Sequence, residues 1–269
     1  MRHFTILPDL QNTNGFLQSL IRSLHIWERS RDVFLRNWKT ETGGIVVEPL
    51  LVLTAVGFGL GSYMADVQGK PYAEFVAPGL LASYAMFGAT FETTFGTYLR
   101  METRRTFSSI LATPVSVSEL ITGEVLWAGT RSLMHAGVLL LVAWIFGLIH
   151  SPYALFVIPS AILIGLMFGS IAILATSLAP SISALTNFFT LFITPMFFFS
   201  GIFYPLDRLP EGIQAIAWLL PLTPAAYLTR SMATGEVSWL TLMSVVIIVA
   251  LTAIFLPLGI RGMRRRLVK

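Results

Sequence analysis

Four residues able to act as acids, bases or ion-pair partners fall inside or beside long apolar stretches: Glu92, Glu124, Arg131 and His135. Charged side chains at membrane depth are costly, so they face a bundle interior or a watered cavity, paired or hydrated. Glu92 stands about six residues from the end of its apolar segment, and Arg131 about ten residues into the next one. Those depths permit a Glu92–Arg131 pair, with Glu124 nearer the surface. His135, one helical turn beyond Arg131, shares its face. Two roles fit this set: an ion pair that fixes helix packing, or the wall of a polar vestibule on the cytoplasmic side.

Other chemistries lack their residues. The only lysines are Lys39, Lys70 and Lys269, and none ends the G-x-x-x-x-G-K-[ST] pattern that cradles a nucleotide's phosphates. There is no H-E-x-x-H and no G-x-S-x-G. The four histidines, His3, His25, His135 and His150, are scattered and read as solvated or packed residues rather than metal ligands. The chain has no cysteine, which removes thiolate metal sites and disulfides. No acid pair is set out for general acid–base work, so neither an enzyme nor a metal site is expected.

The elements that hold these residues follow from composition. The chain is 55% hydrophobic and 12% charged, with mean hydropathy +0.74, far more apolar than soluble domains. An integral membrane protein is expected, all-α, with six transmembrane helices near 44–63, 75–97, 121–149, 153–179, 183–203 and 238–260. The first 40 residues are polar and basic, so no cleavable signal peptide is expected. Fourteen of the 18 basic residues fall in the N-terminal segment (Arg2 to Lys39), at Arg100, Arg104 and Arg105, or in the tail from Arg261 to Lys269. The positive-inside rule then puts both termini in the cytoplasm, most simply of a bacterial inner membrane. The net charge of +4 reflects topology and anionic lipid, so no nucleic-acid partner is implied.

Three further segments stand out. Residues 14–39 carry Phe16, Leu17, Leu20, Ile21, Leu24 and Trp27 at helical spacing, with Arg22, Arg29 and Arg36 on another side. This predicts an amphipathic helix in the interface plane, broken by Thr42-Gly43-Gly44. Residues 1–42 thus form a cytoplasmic segment, 43–262 the six-helix domain and 263–269 a basic tail. In "RMETRRTFSSILATPVS", residues 100–116, Phe107, Ile110 and Leu111 form one strip of a short cytoplasmic helix that stops at Thr113-Pro114. Ser116-Val117-Ser118-Glu119 then reads as a capping box opening the third span. In "GIFYPLDRLPEGIQAIAWLLPLTPAAYLTRSMATG", residues 201–235, Pro210 and Pro221 bracket a helix of nine or ten residues. At 1.5 Å per residue it reaches about 15 Å, half the hydrocarbon thickness, so it cannot cross: it either enters the membrane and turns back, the favoured reading, or lies flat on the outer surface.

Taken in order, these features resemble the membrane subunit of type-2 ABC exporters over roughly residues 15–262. The most specific part is the F-x-S-G-x-x-Y-P…L-P…P-L-T…R…G spacing of "FFFSGIFYPLDRLP…PLTPAAYLTRSMATG". The resemblance is greatest to nodulation-type permeases and to polysaccharide and drug exporters. It implies a half-transporter that pairs with a second copy of itself and recruits two copies of a separate ABC ATPase, which carry the ATP and Mg²⁺. By position, the ATPase-coupling helix would cover Glu102, Arg104, Arg105, Phe107, Ser108, Ile110, Leu111, Thr113 and Pro114, with Phe107, Ile110 and Leu111 as buried contacts. The extracellular gate, near 206–222, would involve Phe203, Tyr204, Pro205, Leu209, Pro210 and Pro221. The expected cargo is an amphipathic glycolipid, lipo-oligosaccharide or polysaccharide; a small lipophilic drug is the alternative within the class. A membrane-embedded transferase and a non-transporting scaffold are the readings from other classes.

Overall fold

The computed structural model describes residues 15–268. Arg2, His3, Lys269 and the side chain of Phe16, all used above, lie outside the described residues. The described chain is helical throughout, with no strand and one isolated bridge, Val67 to Lys70, in a turn.

Helix α1 (Gly15–Val52) continues through a π-helical stretch and a short 3₁₀ turn to Tyr63. It does not break at Thr42-Gly43-Gly44. The Thr42 hydroxyl donates back to the Trp38 carbonyl at 2.5 Å, and nothing crowds either glycine. Two glycines cost an exposed helix about 1 kcal/mol each, which continuous helix on both sides overrides. The amphipathic segment and the first apolar stretch are therefore one rod. Its protein-facing side is not the apolar stripe: Ser23, Ile26 and Ser30 are buried, while Leu17, Leu20 and Leu24 point outward. Arg22 donates to the Pro114 carbonyl at 2.8 Å. At Gly123 a Cβ would lie 2.5 Å from that of Ile26, so a glycine is what lets this rod touch its neighbour.

Helix α2 (Tyr72–Phe91) runs on through two π-helical turns, Glu92–Gly96 and Leu99–Thr103. Arg105, left-handed at φ 49°, then makes the corner into α3 (Thr106–Leu111). Helix α4 (Val117–Ile145) opens on the expected capping box. The Ser116 amide donates to Glu119 Oε2 at 2.7 Å and the Glu119 amide to Ser116 Oγ at 3.3 Å. Next come α5 (Val157–Leu178), then α6 (Ile182–Phe188) joined by a π-helical turn to α7 (Thr194–Phe199). Two short helices follow, α8 (Glu211–Leu219) and α9 (Leu222–Thr234), and finally α10 (Trp239–Leu267).

Among the described residues, five helical stretches are long and apolar enough to cross a membrane: Leu17–Tyr63, Val117–Ile145, Pro152–Leu178, Ile182–Phe199 and Trp239–Leu267. The α2 region, expected as a span, is not among them. It is rich in Ala, Gly, Ser, Thr and Tyr, and nearly all of it is buried by protein. A helix wrapped by other helices meets little lipid and needs no lipophilic surface. Small residues let the centre close: on α5, Gly165 and Gly169, four apart, press against Ser132 and Ala128 of α4. Ser132 donates to the Ala85 carbonyl, Thr176 to that of Thr93 and Thr229 to that of Pro78, pinning α4, α5 and α9 to the α2 helix.

Candidate transport groove and charge network

Most of the polar residues singled out above converge where the C-terminal end of α2 meets the N-terminal half of α4. Arg100 is the hub: its Nη1 donates to Glu92 Oε1 at 2.7 Å, and its Nη2 to Glu124 Oε2 at 2.5 Å. Glu92 Oε2 lies 3.4 Å from Arg131 Nε, and Arg131 Nη1 reaches Glu41 Oε2 of α1 at 2.8 Å. Arg29, also from α1, stands 3.8 Å from Glu124 Oε1. Three carboxylates and three guanidiniums thus tie the N-terminal part of α1 to both inner helices. Glu124 is fully buried, so its charge is tolerable only because Arg100 and Arg29 face it.

Two of these partners could have been found from spacing. Glu92, Gly96 and Arg100 succeed one another every four residues, one face of a helix. A Cβ on Gly96 would sit 3.0 Å from Glu92 Oε1 and 3.3 Å from Arg100 Nη1, so the glycine leaves the pair room to close over it. Sequence reading assigned Arg100 only to topology. Glu41 and Arg29 carry no such signal, because only packing brings α1 alongside. His135 is not part of the ion-pair chain: its Nδ1 donates to the Arg131 carbonyl at 2.8 Å.

Three cavities follow one another from this network. The first, about 310 Å³, is lined by Arg29, Glu41, Glu92, Arg100 and Trp127 among others. The second, about 270 Å³, shares Glu41 and adds Glu48, Tyr84, Arg131 and His135. The third, about 630 Å³, shares Glu48, Tyr84 and Phe87 with the second, and is walled by Phe197 to Phe199, Phe203 and Tyr204. Shared walls make them one groove, charged at its foot, mixed in the middle and aromatic at the top. A ladder of rings flanks it: Phe91 and Phe189 lie 4.4 Å apart, Phe87 and Phe197 5.3 Å, Phe197 and Phe203 5.0 Å. Of the expected gate residues, Phe203 and Tyr204 line this groove. Pro205 lines a separate pocket, and Leu209, Pro210 and Pro221 set the ends of α8.

The elbow at 100–116 departs from expectation in one decisive way. The helix is shorter, Thr106–Leu111, and Phe107 is buried inside this chain. It packs with Ile26, Met101, Leu120, Ile121 and Met263, with Ile110 and Leu111 half-buried against the same cluster. The apolar strip therefore holds the elbow to its own protein, Phe107 wholly and Ile110 and Leu111 in part. Glu102 is also engaged, with Arg266 Nη2 2.9 Å from its Oε1. The outward side is Arg104, Arg105, Ser108, Ser109, Thr113 and Pro114, all exposed.

The family model described as ABC-2 type transporter matches residues 23–234. Nodulation protein J of Sinorhizobium fredii is 37% identical over 205 residues, 76% of this chain and 78% of the relative. Nodulation protein J of Rhizobium leguminosarum bv. viciae is 34% identical over 213 residues, 79% of this chain and 82% of that one. Inner membrane transport permease YadH of Escherichia coli is 24% identical over 198 residues, 73% and 77% of the two chains. A helical chain with a groove along its inner helices and these matches across most of its length belongs to the ABC-2 type transporter family, as a membrane permease.

Proposed function

We propose that this permease is the membrane half of an ATP-driven exporter that moves an amphipathic saccharide-bearing lipid, or a polysaccharide, out across the inner membrane. The groove carries the reading. Its aromatic upper walls suit the apolar faces of sugar rings and acyl chains, and its charged foot suits a polar head entering from the cytoplasm. The likeness to nodulation-type permeases supports the same cargo class. In this reading residues 72–96 form a sixth span between its neighbours, both termini are cytoplasmic, and α8 and α9 dip into the outer leaflet without crossing it. At nine and 13 residues, they reach only about 14 and 20 Å.

A single groove wall needs an opposing one, which a second copy of the chain supplies. Two copies of a separate ABC ATPase bind the energy source, ATP with Mg²⁺, and seat on the exposed side of the elbow, Arg104 to Pro114. Closure of the ATPase pair would push the elbow. Through Met101 and Phe107 the push reaches α4, and through Arg100 it reaches the ion-pair chain at the groove's foot.

The test is reconstitution of the permease with its ATPase in proteoliposomes, measuring ATP turnover against lipid-linked oligosaccharides and against lipophilic drugs. Stimulation by the saccharide lipids is the expected result. Stimulation by drugs alone would move the cargo to that class, which the aromatic upper walls also suit. Turnover indifferent to both, with transferase activity in the isolated chain, would overturn the exporter reading.

A further inference from the structure

A second pocket of about 340 Å³ lies apart from the groove and shares none of its lining residues. The turn from Gly201 to Leu206 separates the two: Phe203 and Tyr204 face the groove, while Pro205 and Leu206 face this pocket. Its walls come from the start of α2, from α8, from α9 and from the residues that follow α9.

Arg230 is its most unusual member. The guanidinium stacks 4.3 Å from the ring centre of Phe75, and Nη2 donates to the Gly201 carbonyl at 3.1 Å. Its Nε is buried with no hydrogen-bond partner, and among the described residues no carboxylate lies within 4.0 Å of it. An arginine has five N–H donors, so most of this one's remain unspent. Trp218 and Tyr227 form an aromatic corner, ring centres 6.1 Å apart. Gln214 uses its amide nitrogen on the Leu209 carbonyl at 2.7 Å, leaving its oxygen as a free acceptor. Asp207 and Glu236 add carboxylates, Glu236 beside Lys70 at 3.5 Å.

The combination selects a ligand class. An anion would face Asp207 and Glu236. A purely lipophilic ligand would strip water from Arg230 and return no hydrogen bond. With Lys70 counted, the charges balance at zero, and donors and acceptors surround two ring faces. A neutral sugar matches that, because each hydroxyl both gives and accepts while the C–H faces stack on aromatic rings. We infer that this pocket is a saccharide-binding site for one terminal residue of a neutral oligosaccharide, set beside the outer mouth of the groove. The ligand's origin as cargo rests on the export reading above; the pocket's sugar chemistry does not.

The test is calorimetric titration of the permease–ATPase complex in lipid nanodiscs with two soluble neutral probes, cellotetraose and the β1,4-linked tetramer of N-acetylglucosamine. An acidic probe, a uronic-acid tetramer, is run in parallel. At least one neutral probe should bind. Trp218→Ala and Gln214→Ala should each weaken it about tenfold, the loss of one stack or hydrogen bond. Arg230→Gln can loosen the Gly201 turn, so the exposed Trp218 and half-buried Gln214 decide the matter. No binding of either neutral probe, undiminished binding by both variants, or preference for the acidic probe would each overturn the inference. The two readings fail separately. ATPase stimulation by saccharide lipids without soluble-sugar binding removes this pocket and keeps the exporter. Sugar binding abolished by Trp218→Ala, with no stimulation by any saccharide lipid, does the reverse.

Discussion

Arg100 shows how much one residue can hold. Among the described residues it alone contacts the carboxylates of both α2 and α4, and Glu124 is fully buried. Arg100→Leu should cost about 3–5 kcal/mol, because removing one partner of a buried pair strands the other charge. A lowered melting temperature of the detergent-solubilised permease is the readout. Arg100→Lys should retain part of the stability, since a lysine cannot serve both carboxylates with two arms. The double change Glu92→Gln, Arg131→Leu removes one positive and one negative group and leaves the Arg100–Glu124 contact intact. It should be milder in stability than Arg100→Leu yet reduce transport; normal transport would remove the groove's foot from the mechanism. Legibility at this scale was uneven. Glu92, Glu124 and Arg131 stood out as charges in apolar surroundings, whereas Arg100 was hidden among loop arginines until Gly96 revealed the face it shares with Glu92.

The elbow and α1 make the same point for elements. Helical spacing identified the strip Phe107, Ile110 and Leu111, but an amphipathic strip states only that one face is covered, not by what. Here the chain's own α1, α4 and α10 cover it. Phe107→Asp should therefore destabilise the permease itself, seen as lost expression and a broadened melting transition. Ser109→Arg, on the exposed side, should leave melting unchanged and reduce ATPase co-purification. Equal co-purification with Ser109→Arg and Arg105→Glu would exclude this face as the docking surface. For α1, Gly123→Val should drive the rod away from α4 by colliding with Ile26. The expected sign is faster proteolysis within residues 15–40 and little change elsewhere. Gly43-Gly44 looked like a break because glycine disfavours helix. It is no break because nothing in the surrounding fold asks the chain to turn there.

For the whole molecule, orientation can be read directly, since the natural chain has no cysteine to remove. Single cysteines at Ser109 and Pro180 should react with a membrane-impermeant maleimide only from the cytoplasmic side. A cysteine at Gly212 should react only from outside. Labelling of Gly212→Cys from within would invert the topology and with it the assignment of both pockets. Arg266 carries a related lesson. Counted only as one basic charge of the tail, it in fact caps α5, donating to the Thr176 and Ala179 carbonyls at 2.7 and 2.6 Å.

The sequence by itself determined the apolar class, the proline brackets of α8, the capping box at Ser116 and the family resemblance. Each of these is a property of neighbours along the chain or of composition. Tertiary structure decided which face of each amphipathic helix is covered, that α1 is one rod whose Arg22 and Arg29 turn inward, and that α2 spends its few polar groups inside protein. It also decided that a groove and a separate pocket stand on either side of one short turn. Those outcomes depend on contacts between residues tens to more than a hundred positions apart, such as Arg131 with Glu41 and Arg230 with Phe75. Local pattern carries no record of which distant surface arrives.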